Sequence, residues 1–446
     1  MKEIIEKIKN SIRCTEFENN TFICGGFVRD KIMEKESNDI DIVVNIPNGG
    51  ILLASFLHQQ GITSNKPVYF ERFGTAQVII DGEQIEFVET RKEFYENSKS
   101  RKPKIEFGSL EDDIYRRDFT INSMLMNICN NKIIDLKNGK GDIKNQIIRT
   151  TSEPNLIFNE DPLRMLRALR FSSQLGFIIE NKTLDAIYKN SSRLKIISKE
   201  RIRDEFCKLL MGKNVRFAIR LLISTNLYKY ILPELKLLDG LEQPIKHHID
   251  DALGHTLDVI DNSKNTIEHK LSALLHDIGK PFTKSIHEKT GEIIFYGHNL
   301  ESEKISKRFL TEFKFSNEQI DLITLAVKMH MDWCNLITKK TLRKHIHKIG
   351  LDKLNFCLDL ALADVSLRNK KRENIILEMF KTIEEINNEL LNGKIIFPFN
   401  GKDIMDFFNI KEGKKVGILL EKAKDIFLDN MSLNKEEVFN ILKSKI

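Results

Sequence analysis

The spacing of hydrophobic residues changes once along the chain and divides it into two parts. Up to about residue 150, short apolar runs are separated by helical patterns and by Gly or Asn turns. From about Glu160 onward, apolar residues recur at intervals of three and four, the period of an amphipathic helix. The pattern predicts an α/β or α+β head followed by an all-α body. The runs that favour strands are ICGGFVRD (23–30), DIDIVVN (39–45), TAQVIID (75–81), IEFVET (85–90) and IIDL (133–136).

Composition narrows the class of protein. A chain of 446 residues exceeds one ordinary core, so about two to four domains are expected. No apolar run is long enough to span a bilayer and the N-terminus lacks a signal peptide's apolar core, which predicts a cytoplasmic protein without a membrane partner. Six cysteines without CxxC spacing argue against a zinc knuckle or a disulfide framework, and they are expected to be reduced and structural. The net charge of +6 hints at a polyanionic partner without deciding the matter.

Two carboxylates stand one residue apart inside an apolar run, at Asp39 and Asp41. On a strand, residues i and i+2 point to the same face, so these side chains would lie together, with Ile40 and Ile42 turned into the core. Two adjacent negative charges become favourable around a divalent cation, and Mg²⁺ takes one or two carboxylates together with water and substrate phosphates. The alternative is a surface turn, because such triplets are common in loops.

A glycine pair precedes these aspartates. Gly25 and Gly26 would let backbone N–H groups approach a triphosphate closely, and Arg29 adds positive charge. The order GG-x-V-R-D and then D-x-D resembles the signature of nucleotidyltransferases with a DNA polymerase β-like head. Within that superfamily it is most similar to the bacterial-type tRNA nucleotidyltransferase and poly(A) polymerase family.

Further motifs follow in the order of that family. RRDFTIN (116–122) is similar to its ribose-recognition motif, the stretch 135–149 to its head-to-neck hinge, and EDPLRMLRALRF (160–171) to the helix that selects the incoming base. One departure is Met33-Glu34-Lys35, where the family usually has a Leu-Gly pair. The resemblance implies an α+β fold: a polymerase β-like head with a mixed sheet and helices, followed by an all-α neck, body and HD domain.

The stretch 160–171 can also be interpreted without the family. Asp161 and Arg164 are neighbours on one helical face, and Arg167 and Arg170 continue a basic stripe. Cytosine and adenine both offer an amino donor beside a ring nitrogen acceptor, so a carboxylate and a guanidinium could admit CTP and ATP while excluding UTP and GTP. The alternative is structural, because Asp161 before Pro162 is also a good helix cap.

The resemblance assigns roles to other residues of the head. Arg117 and Asp118 would bind the ribose or the triphosphate, although a surface ion pair is the alternative. A third carboxylate often supports the metal pair in this fold, and Glu86 is the candidate, with Glu71 and Glu89 as competitors.

Two basic segments add to the family picture. Residues 91–115 are polar and poorly periodic, which predicts a mobile loop like the one in enzymes that add the terminal A, and favours full CCA addition over CC addition. Residues 198–212 resemble the RNA-binding body, where Arg201, Arg203 and Lys208 could contact phosphates.

A second constellation has the order H…HD…D and resembles the HD phosphohydrolase domain. Imidazole and carboxylate are ligands that divalent transition metals accept, so a second metal is possible here beside the Mg²⁺ of the head. A scaffold with buried, metal-free histidines is the alternative. The candidate ligands are His255, His276, Asp277 and Asp364, with His298 and His330 as possible extensions.

These observations predict a template-independent enzyme that adds CCA to the 3′ end of tRNA from CTP and ATP with Mg²⁺. Poly(A) polymerase, A-only addition and CC-only addition stay open within the class. A metal-dependent HD phosphohydrolase with a degenerate head is the alternative from another class, and the intact Asp39 and Asp41 favour the first. The sequence does not indicate an oligomeric state. The predicted domains are a head (1–150), a helical neck and RNA-binding body (151–245), an HD domain (246–390) and a helical tail (391–446).

Overall fold

The chain forms two compact units, Met1–Pro233 (unit 1) and Glu234–Ile446 (unit 2), in a computed structural model. This division is coarser than the four predicted domains, whose boundaries stay a prediction. Within the described part of the chain, no helix has the length and apolar character needed to cross a bilayer. The residues described are 1–37, 40–71, 74–94, 104–243, 251–334, 337–365, 369–391 and 397–445.

Unit 1 is built on a seven-stranded mixed sheet. The strands of unit 1, in this sheet and outside it, are β1 (Thr21–Cys24), β2 (Asp41–Val44), β3 (Val68–Phe70), β4 (Thr75–Ile80), β5 (Glu83–Glu89), β6 (Arg91–Phe94), β7 (Lys104–Phe107), β8 (Leu125–Asn127), β9 (Ile133–Ile134), β10 (Ile147–Ile148) and β11 (Ile178–Ile179). The sheet runs in the order β3-β4-β5-β2-β1-β8-β9, with β2 and β5 parallel and the other neighbours antiparallel. β6 pairs with β7, and β10 with β11, in two small separate sheets. This mixed sheet confirms the predicted α+β class.

The centre of the sheet explains the apolar run after the aspartates. Ile40 and Ile42 are 2% and 0% exposed, as the strand pattern predicted. Val43 and Val44 are buried as well, which is expected of a central strand covered on both faces. Asp41 begins β2 with its side chain exposed, so the carboxylate lies at the edge where the buried strand starts.

Ten helices surround the sheet or follow it within the described residues of unit 1. They are α1 (Lys2–Ile12), α2 (Gly26–Ile32), α3 (Gly49–Gln59), α4 (Leu110–Tyr115), α5 (Gly139–Lys144), α6 (Pro154–Glu160), α7 (Leu163–Leu175), α8 (Asn181–Asn190), α9 (Lys199–Leu210) and α10 (Val215–Ser224), with 3-10 turns at Thr120–Asn122, Ser191–Ile196 and Leu227–Tyr230. α7 packs against α9 and α10 through a buried face that includes Leu166 and Leu169. The three- and four-residue spacing of these residues predicted that face.

Unit 2 is almost entirely helical. Its elements are α11 (Leu235–Leu238), α12 (Ala252–Asn262), α13 (Ile267–Leu275), α14 (Lys280–Thr283), β12 (Ser285–Ile286), β13 (Ile293–Ile294), α15 (His298–Glu312), α16 (Asn317–Met329), a 3-10 turn (Asp332–Cys334), α17 (Lys339–Ile349), α18 (Leu351–Val365), α19 (Lys370–Leu391), α20 (Gly401–Phe408), α21 (Lys414–Asp429) and α22 (Lys435–Ser444). α12, α13, α16 and α18 pack against one another. The last three helices enclose a separate apolar core around Phe399, Phe427 and Phe439.

Several local expectations need correction. Only the first two residues of the run 23–30 lie in a strand, because Gly25 takes a φ of 69° and turns the chain from β1 into α2. The predicted loop 91–115 contains β6, β7 and α4, while residues 95–103 lie outside the described part. Asp39 also lies outside it. The cysteines that can be assigned are free thiols, namely Cys14, Cys24, Cys129, Cys207 and Cys357.

Candidate active site

The turn between β1 and α2 brings the backbone close to Asp41. β1 and β2 pair so that Cys24 stands opposite Asp41. A Cβ atom added at Gly25 would lie 3.3 Å from Asp41 Oδ2, in addition to the strain of a positive φ. Glycine at this position therefore keeps space beside the carboxylate open.

A second carboxylate lies beside Asp41 on the neighbouring strand. The parallel register of β2 and β5 pairs Asp41 with Glu86, and both side chains are exposed. Glu89 is 9% exposed and accepts the N–H of Asn48 at 2.7 Å, so its carboxylate already stabilises the start of α3. Of the three candidates for a third carboxylate, Glu86 has the position that fits best, because it stands opposite Asp41. Glu71 instead lies in the connection between β3 and β4.

Arg29 is fixed in place by three contacts. Its Nη1 donates to Asn122 Oδ1 at 2.9 Å, its Nη2 pairs with Asp30 Oδ1 at 2.8 Å, and its guanidinium lies 5.5 Å from the ring centre of Phe171. Asn122 belongs to the RRDFTIN stretch and Phe171 ends the EDPLRMLRALRF stretch. Arg29 therefore links the three motifs that the sequence places far apart.

Arg117 is held in place by the buried carboxylate of Asp113. Its Nη2 lies 2.7 Å from Asp113 Oδ2, and Arg116 pairs with the other oxygen of Asp113. Burial opposes the charge on Asp113, but the two guanidinium groups outweigh it and hold the pKa of this carboxyl below its ordinary value. Sequence reasoning missed Asp113, although its spacing of three and four residues from the two arginines was a usable signal.

The two further arginines of α7 also have carboxylate partners. Arg167 Nη2 lies 2.6 Å from Asp118 Oδ2, and Arg170 Nε lies 3.2 Å from Glu205 Oε2. Burial raises the pKa of Asp118, but Arg167 and Arg164 outweigh it, so this pKa lies below its ordinary value. Burial lowers the pKa of Arg170 to about 10 against the opposing effect of Glu205, so Arg170 keeps its charge at neutral pH.

Asp161 and Arg164 lie at a break between two helices. The stretch 160–171 was predicted as one helix, but α6 ends at Glu160 and α7 begins at Leu163. Pro162 lacks an N–H group and disfavours a helical residue before it, which explains the extended backbone of Asp161. Asp161 Oδ1 accepts the N–H of Leu163 at 3.0 Å, so the predicted capping role is present.

The other oxygen of Asp161 faces a residue of α9. Asp161 Oδ2 lies 2.8 Å from Arg201 Nη2. Arg164 donates from Nη1 to Glu160 Oε2 at 2.9 Å and from Nη2 to the carbonyl oxygen of Arg116 at 2.8 Å. Carboxylate and guanidinium are therefore held by separate partners. The prediction that Asp161 and Arg164 share one helical face is wrong, because Asp161 has an extended backbone and precedes α7.

One cavity of about 720 Å³ collects these groups. The catalytic and nucleotide-binding residues predicted for the head, as far as the structure describes them, line it: Gly25, Gly26, Arg29, Asp41, Arg117, Asp118, Asp161, Arg164, Arg167 and Arg170. Glu86, the candidate third carboxylate, is not among its lining residues. Sequence reasoning did not assign to this site Asp30, Arg116, Asn122, Phe171, Arg201, Asp204, Glu205 and Lys208, which also line it. The sequence predicted that Arg201 and Lys208 contact RNA phosphates. A basic helix carries no signal that distinguishes such a contact from a place in this cavity.

The departure at Met33-Glu34-Lys35 has a structural outcome. Glu34 has a φ of 56°, which is the left-handed conformation that glycine adopts without strain. The turn after α2 therefore keeps this conformation with a glutamate where the family usually has a Leu-Gly pair.

The histidines and aspartates of unit 2 form a buried cluster around Asp277. His255, His276 and Asp277 offer ligand atoms within 4.8 Å of one another, and so do Asp277, His298 and His330. Asp277 Oδ2 lies 3.0 Å from His276 Nε2, and Oδ1 lies 3.2 Å from His298 Nε2. Asp364, from α18, reaches the cluster through Oδ1, 3.0 Å from His255 Nε2. The cluster brings together all four predicted ligands and both extra histidines.

The hydrogen bonds of this cluster orient its ring nitrogens. The Nδ1 atoms of His276, His298 and His330 lie 2.8, 2.7 and 2.6 Å from backbone carbonyl oxygens, which makes each Nδ1 the donor. In a neutral ring, each Nε2 then carries the lone pair and is turned inward, and the Nε2 atoms of His298 and His330 lie 3.1 Å apart. Two facing lone pairs repel unless a cation lies between them, so the donor set fits a metal ion.

Charge in the cluster follows from its burial. Burial, together with nearby His276, lowers the pKa of His330 to about 4, so this imidazole is neutral. Burial opposes ionisation of Asp277, but His276 and Lys280 hold its pKa well below the ordinary range. Lys280 Nζ lies 2.6 Å from Asp277 Oδ2 and donates to Gln243 Oε1 at 2.6 Å. Burial lowers the pKa of His255, but Asp277 and Asp364 outweigh it, so this pKa lies above its ordinary value. A neutral His330 beside an ionised Asp277 matches the ligand states that a divalent cation requires.

Comparison with known proteins identifies the family. Three family descriptions match the chain in order: "Poly A polymerase head domain" at residues 21–149, "Probable RNA and SrmB- binding site of polymerase A" at 176–238 and "HD domain" at 248–369. A CCA-adding enzyme of Ligilactobacillus salivarius is 39% identical over 444 residues, which cover 97% of this chain and 93% of that enzyme. The chain belongs to the CCA-adding enzyme family.

Other members show the breadth of the CCA-adding enzyme family. A CC-adding tRNA nucleotidyltransferase of Thermus thermophilus is 28% identical over 342 residues, 74% of this chain and 76% of that protein. The crystal structure of a Bacillus stearothermophilus CCA-adding enzyme in complex with CTP covers 100% of this chain and 98% of that chain, with a TM-score of 0.72 and 23% identity. That likeness shows the fold. Nucleotidyltransferase and HD domains depend on divalent metals, which confirms the coarser part of the metal prediction.

Proposed function

We propose that this protein adds C, C and A to the 3′ end of tRNA from CTP and ATP, without a nucleic-acid template. One observation carries the proposal: a single cavity joins Asp41 and the glycine turn to Asp161 and Arg164. A carboxylate for metal-assisted transfer and a pair that can recognise a base edge therefore face the same space. Membership of the CCA-adding enzyme family supports the same reaction.

The head site fits Mg²⁺. Asp39 and Asp41 would hold it, with Glu86 as the third carboxylate, and the register of Asp41 and Glu86 on neighbouring strands supports this assignment. Exposed carboxylate oxygens suit an ion that retains several waters and binds substrate phosphates. When bound, Mg²⁺ supplies electrostatic stabilisation of the charge that develops during phosphoryl transfer.

The residues of the cavity bind and orient the reactants. In the transfer, the 3′-hydroxyl oxygen of the RNA forms a bond to the α-phosphorus, the bond from that phosphorus to pyrophosphate breaks, and the hydroxyl proton passes to solvent. Arg29 and Arg117 present guanidinium groups whose planar geometry matches phosphate oxygens. Gly25 leaves space for the α-phosphate beside Asp41.

Base selection falls to Asp161 and Arg164. The carboxylate would accept from the exocyclic amino group of cytosine or adenine, and the guanidinium would donate to the adjacent ring nitrogen. Uracil and guanine present the reverse polarity and would leave both groups unpaired. Asp161 pairs with Arg201 and Arg164 pairs with Glu160, and these pairs hold the two side chains in the lining of the same cavity.

Product analysis on tRNA transcripts tests the function. Transcripts that lack the final CCA, CA or A are incubated with each nucleotide in Mg²⁺. We expect CTP to extend the first by CC and the second by C, and ATP to extend the third by A. Addition of A alone, of CC alone or of long A tracts would identify the alternative relatives instead. Asp41→Asn and Glu86→Gln should lose addition while retaining tRNA binding, whereas Glu83→Gln, an exposed carboxylate on the same strand, should not change it.

Metal-dependent phosphoester hydrolysis is a second candidate function, in unit 2. The convergence of inward-facing Nε2 atoms on Asp277 supports it. Imidazole-rich ligand sets suit transition metals, so His255, His276, Asp277 and Asp364 would hold one, with His298 and His330 extending the site. When bound, such an ion lowers the pKa of water and polarises the phosphoryl oxygen. Lys280 adds a cation beside Asp277 for the phosphate of a substrate.

Hydrolysis here would take one water per ester bond: the water oxygen joins phosphorus, and the alcohol oxygen leaves with a proton. A cyclic 2′,3′-phosphate is a suitable test substrate, because such an end lacks the free hydroxyl that nucleotide addition requires. The purified protein is analysed for bound metal and assayed with Ni²⁺, Mn²⁺ and Mg²⁺. His276→Ala combined with Asp277→Ala should abolish hydrolysis and spare CCA addition. A parent protein without bound metal or hydrolysis would leave only the scaffold role.

A further inference from the structure

A segment of unit 2 leaves the histidine–aspartate cluster and returns to it. This rim segment runs from Lys280 to His298. Its first residue lies 2.6 Å from Asp277 Oδ2 through Nζ, and its last lies 3.2 Å from Asp277 Oδ1 through Nε2. Between them β12 and β13 pair as a hairpin, with Ile286 opposite Ile293. Both ends of the rim segment are therefore fixed to the cluster.

The returning strand places an aromatic residue at the edge of the cluster. The carbonyl oxygen of Phe295 accepts from His298 Nδ1 at 2.7 Å, and its ring lies 5.5 Å from Lys280 Nζ, so Phe295 is anchored inward. The next residue, Tyr296, is 91% exposed. Two residues of chain span at most about 7 Å, so Tyr296 stands close to His298. Its ring is almost fully open to solvent.

The rest of the rim segment has the same character. Phe282 and Ile286 are 54% and 68% exposed. The segment also exposes Lys284 and Lys289, together with Glu288 and Glu292. Single apolar side chains on a surface are ordinary, but several grouped beside a cluster of buried ionisable groups indicate a binding site. The combination of open apolar faces and lysines suits a ligand that is flat and carries phosphate.

We propose that the rim segment binds the terminal base of an RNA 3′ end, with Tyr296 as the stacking platform, and so presents the phosphate of that end to the cluster. The inference rests on the second proposed function. Unpaired bases stack on exposed aromatic rings without regard to sequence, and lysines follow the charged backbone. A protein partner would instead favour an anchor already enclosed in a pocket, and the ring of Tyr296 is almost fully open to solvent.

The test separates recognition of the base from hydrolysis. The full-length parent, Tyr296→Ala and Tyr296→Phe are assayed on a tetranucleotide ending in a 2′,3′-cyclic phosphate and on bis(p-nitrophenyl) phosphate, which has no base. Tyr296→Ala should raise the KM for the tetranucleotide at least about 5-fold, the size of one lost stacking contact. Its kcat and its activity on the small ester should not change, and Tyr296→Phe should behave as the parent. Leu377→Ala, which removes an exposed apolar side chain of α19, is the control.

A binding experiment covers a parent that hydrolyses neither substrate. A tetranucleotide with 2-aminopurine as its last base is titrated with the same proteins, because stacking quenches its fluorescence. Quenching that Tyr296→Ala reduces would support the platform and reject the hydrolase. Quenching equal in parent and Tyr296→Ala, or an equal KM for the tetranucleotide, would overturn the proposal and leave the rim segment to a protein partner.

Discussion

Asp113 is the residue that holds the guanidinium groups of Arg116 and Arg117 in the cavity. It is 0% exposed and accepts from Arg116 and Arg117, and the carbonyl oxygen of Arg116 in turn accepts from Arg164. A buried carboxylate that neutralises two guanidinium groups is costly to remove, because both cations would remain without their counter-charge. One side chain thus supports Arg117, which we propose for the phosphates, and, through Arg116, also Arg164, which we propose for the base.

Asp113→Asn should therefore destabilise unit 1 by about 3–5 kcal/mol and raise the KM for CTP and ATP together. Because the pKa of Asp113 is lowered in the folded state, its contribution is present above the ordinary value of about 4 and is lost as pH falls through the lowered value. The gap in stability between parent and variant should accordingly narrow in acid. Urea unfolding from pH 3 to 7 measures it, with Glu111→Gln, an exposed carboxylate on the same helix, as control. An unchanged gap over that range would contradict the assignment.

At the scale of elements, the fold holds α3 unusually close to the sheet. A Cβ atom added at Gly50 would lie 2.5 Å from the carbonyl oxygens of Gly74 and Phe87, a distance that requires movement of the backbone. By contrast, Gly417 in α21 has open space where its Cβ would lie. The same substitution therefore meets opposite conditions in two helices.

Gly50→Ala should destabilise unit 1 by about 1–3 kcal/mol, because α3 must shift from β5. Gly417→Ala should stabilise the last three helices by up to about 1 kcal/mol, since alanine favours a helix more than glycine does. Hydrogen exchange on peptides from α3 and α21 reports each effect locally. Equal responses in the two helices would show that close packing is not what retains Gly50.

The sequence predicted these elements where periodicity decides them and failed where single side chains do. The buried face of α7 and the strand after Asp41 follow directly from apolar spacing. The structural alternative, a cap at Asp161 before Pro162, predicted where α7 begins, but the spacing of apolar residues did not predict that a separate helix, α6, ends at Glu160. Glu205 was missed because its partners, Arg167 and Arg170, lie on another helix, and one sequence does not display packing between elements. Asp113 was missed although its spacing from Arg116 and Arg117 was a local signal. The positions of the candidate ligands, in contrast, were carried by short motifs.

At the scale of the whole molecule, the two candidate sites belong to different units and use different ligands. The head site offers carboxylate oxygens, whereas unit 2 offers imidazole nitrogens around one carboxylate. Ligands of these two kinds prefer different metals. The metal requirements of the two activities should therefore be separable in one protein.

After treatment with a chelator, Mg²⁺ alone should restore nucleotide addition to the parent, while hydrolysis should return only with Ni²⁺ or Mn²⁺. Addition and hydrolysis are measured on the same preparation across a titration of each metal. Asp41→Asn should lose the first response only, and His276→Ala with Asp277→Ala the second only. Loss of both activities in either variant would contradict independent sites.

The pairing of the arginines on the base side of the cavity has a consequence for how the protein chooses a nucleotide. Each of these long side chains is already bound to a carboxylate of the chain before any substrate arrives; the pairs are Arg164 with Glu160, Arg167 with Asp118, Arg170 with Glu205 and Arg201 with Asp161. Little rotamer freedom is then left to lose when a base enters, so discrimination reflects shape and polarity instead of the entropy of ordering. The side chains of the cavity are therefore positioned before the nucleotide binds. For the proposed reaction they select the base, as a template strand does in nucleic acid.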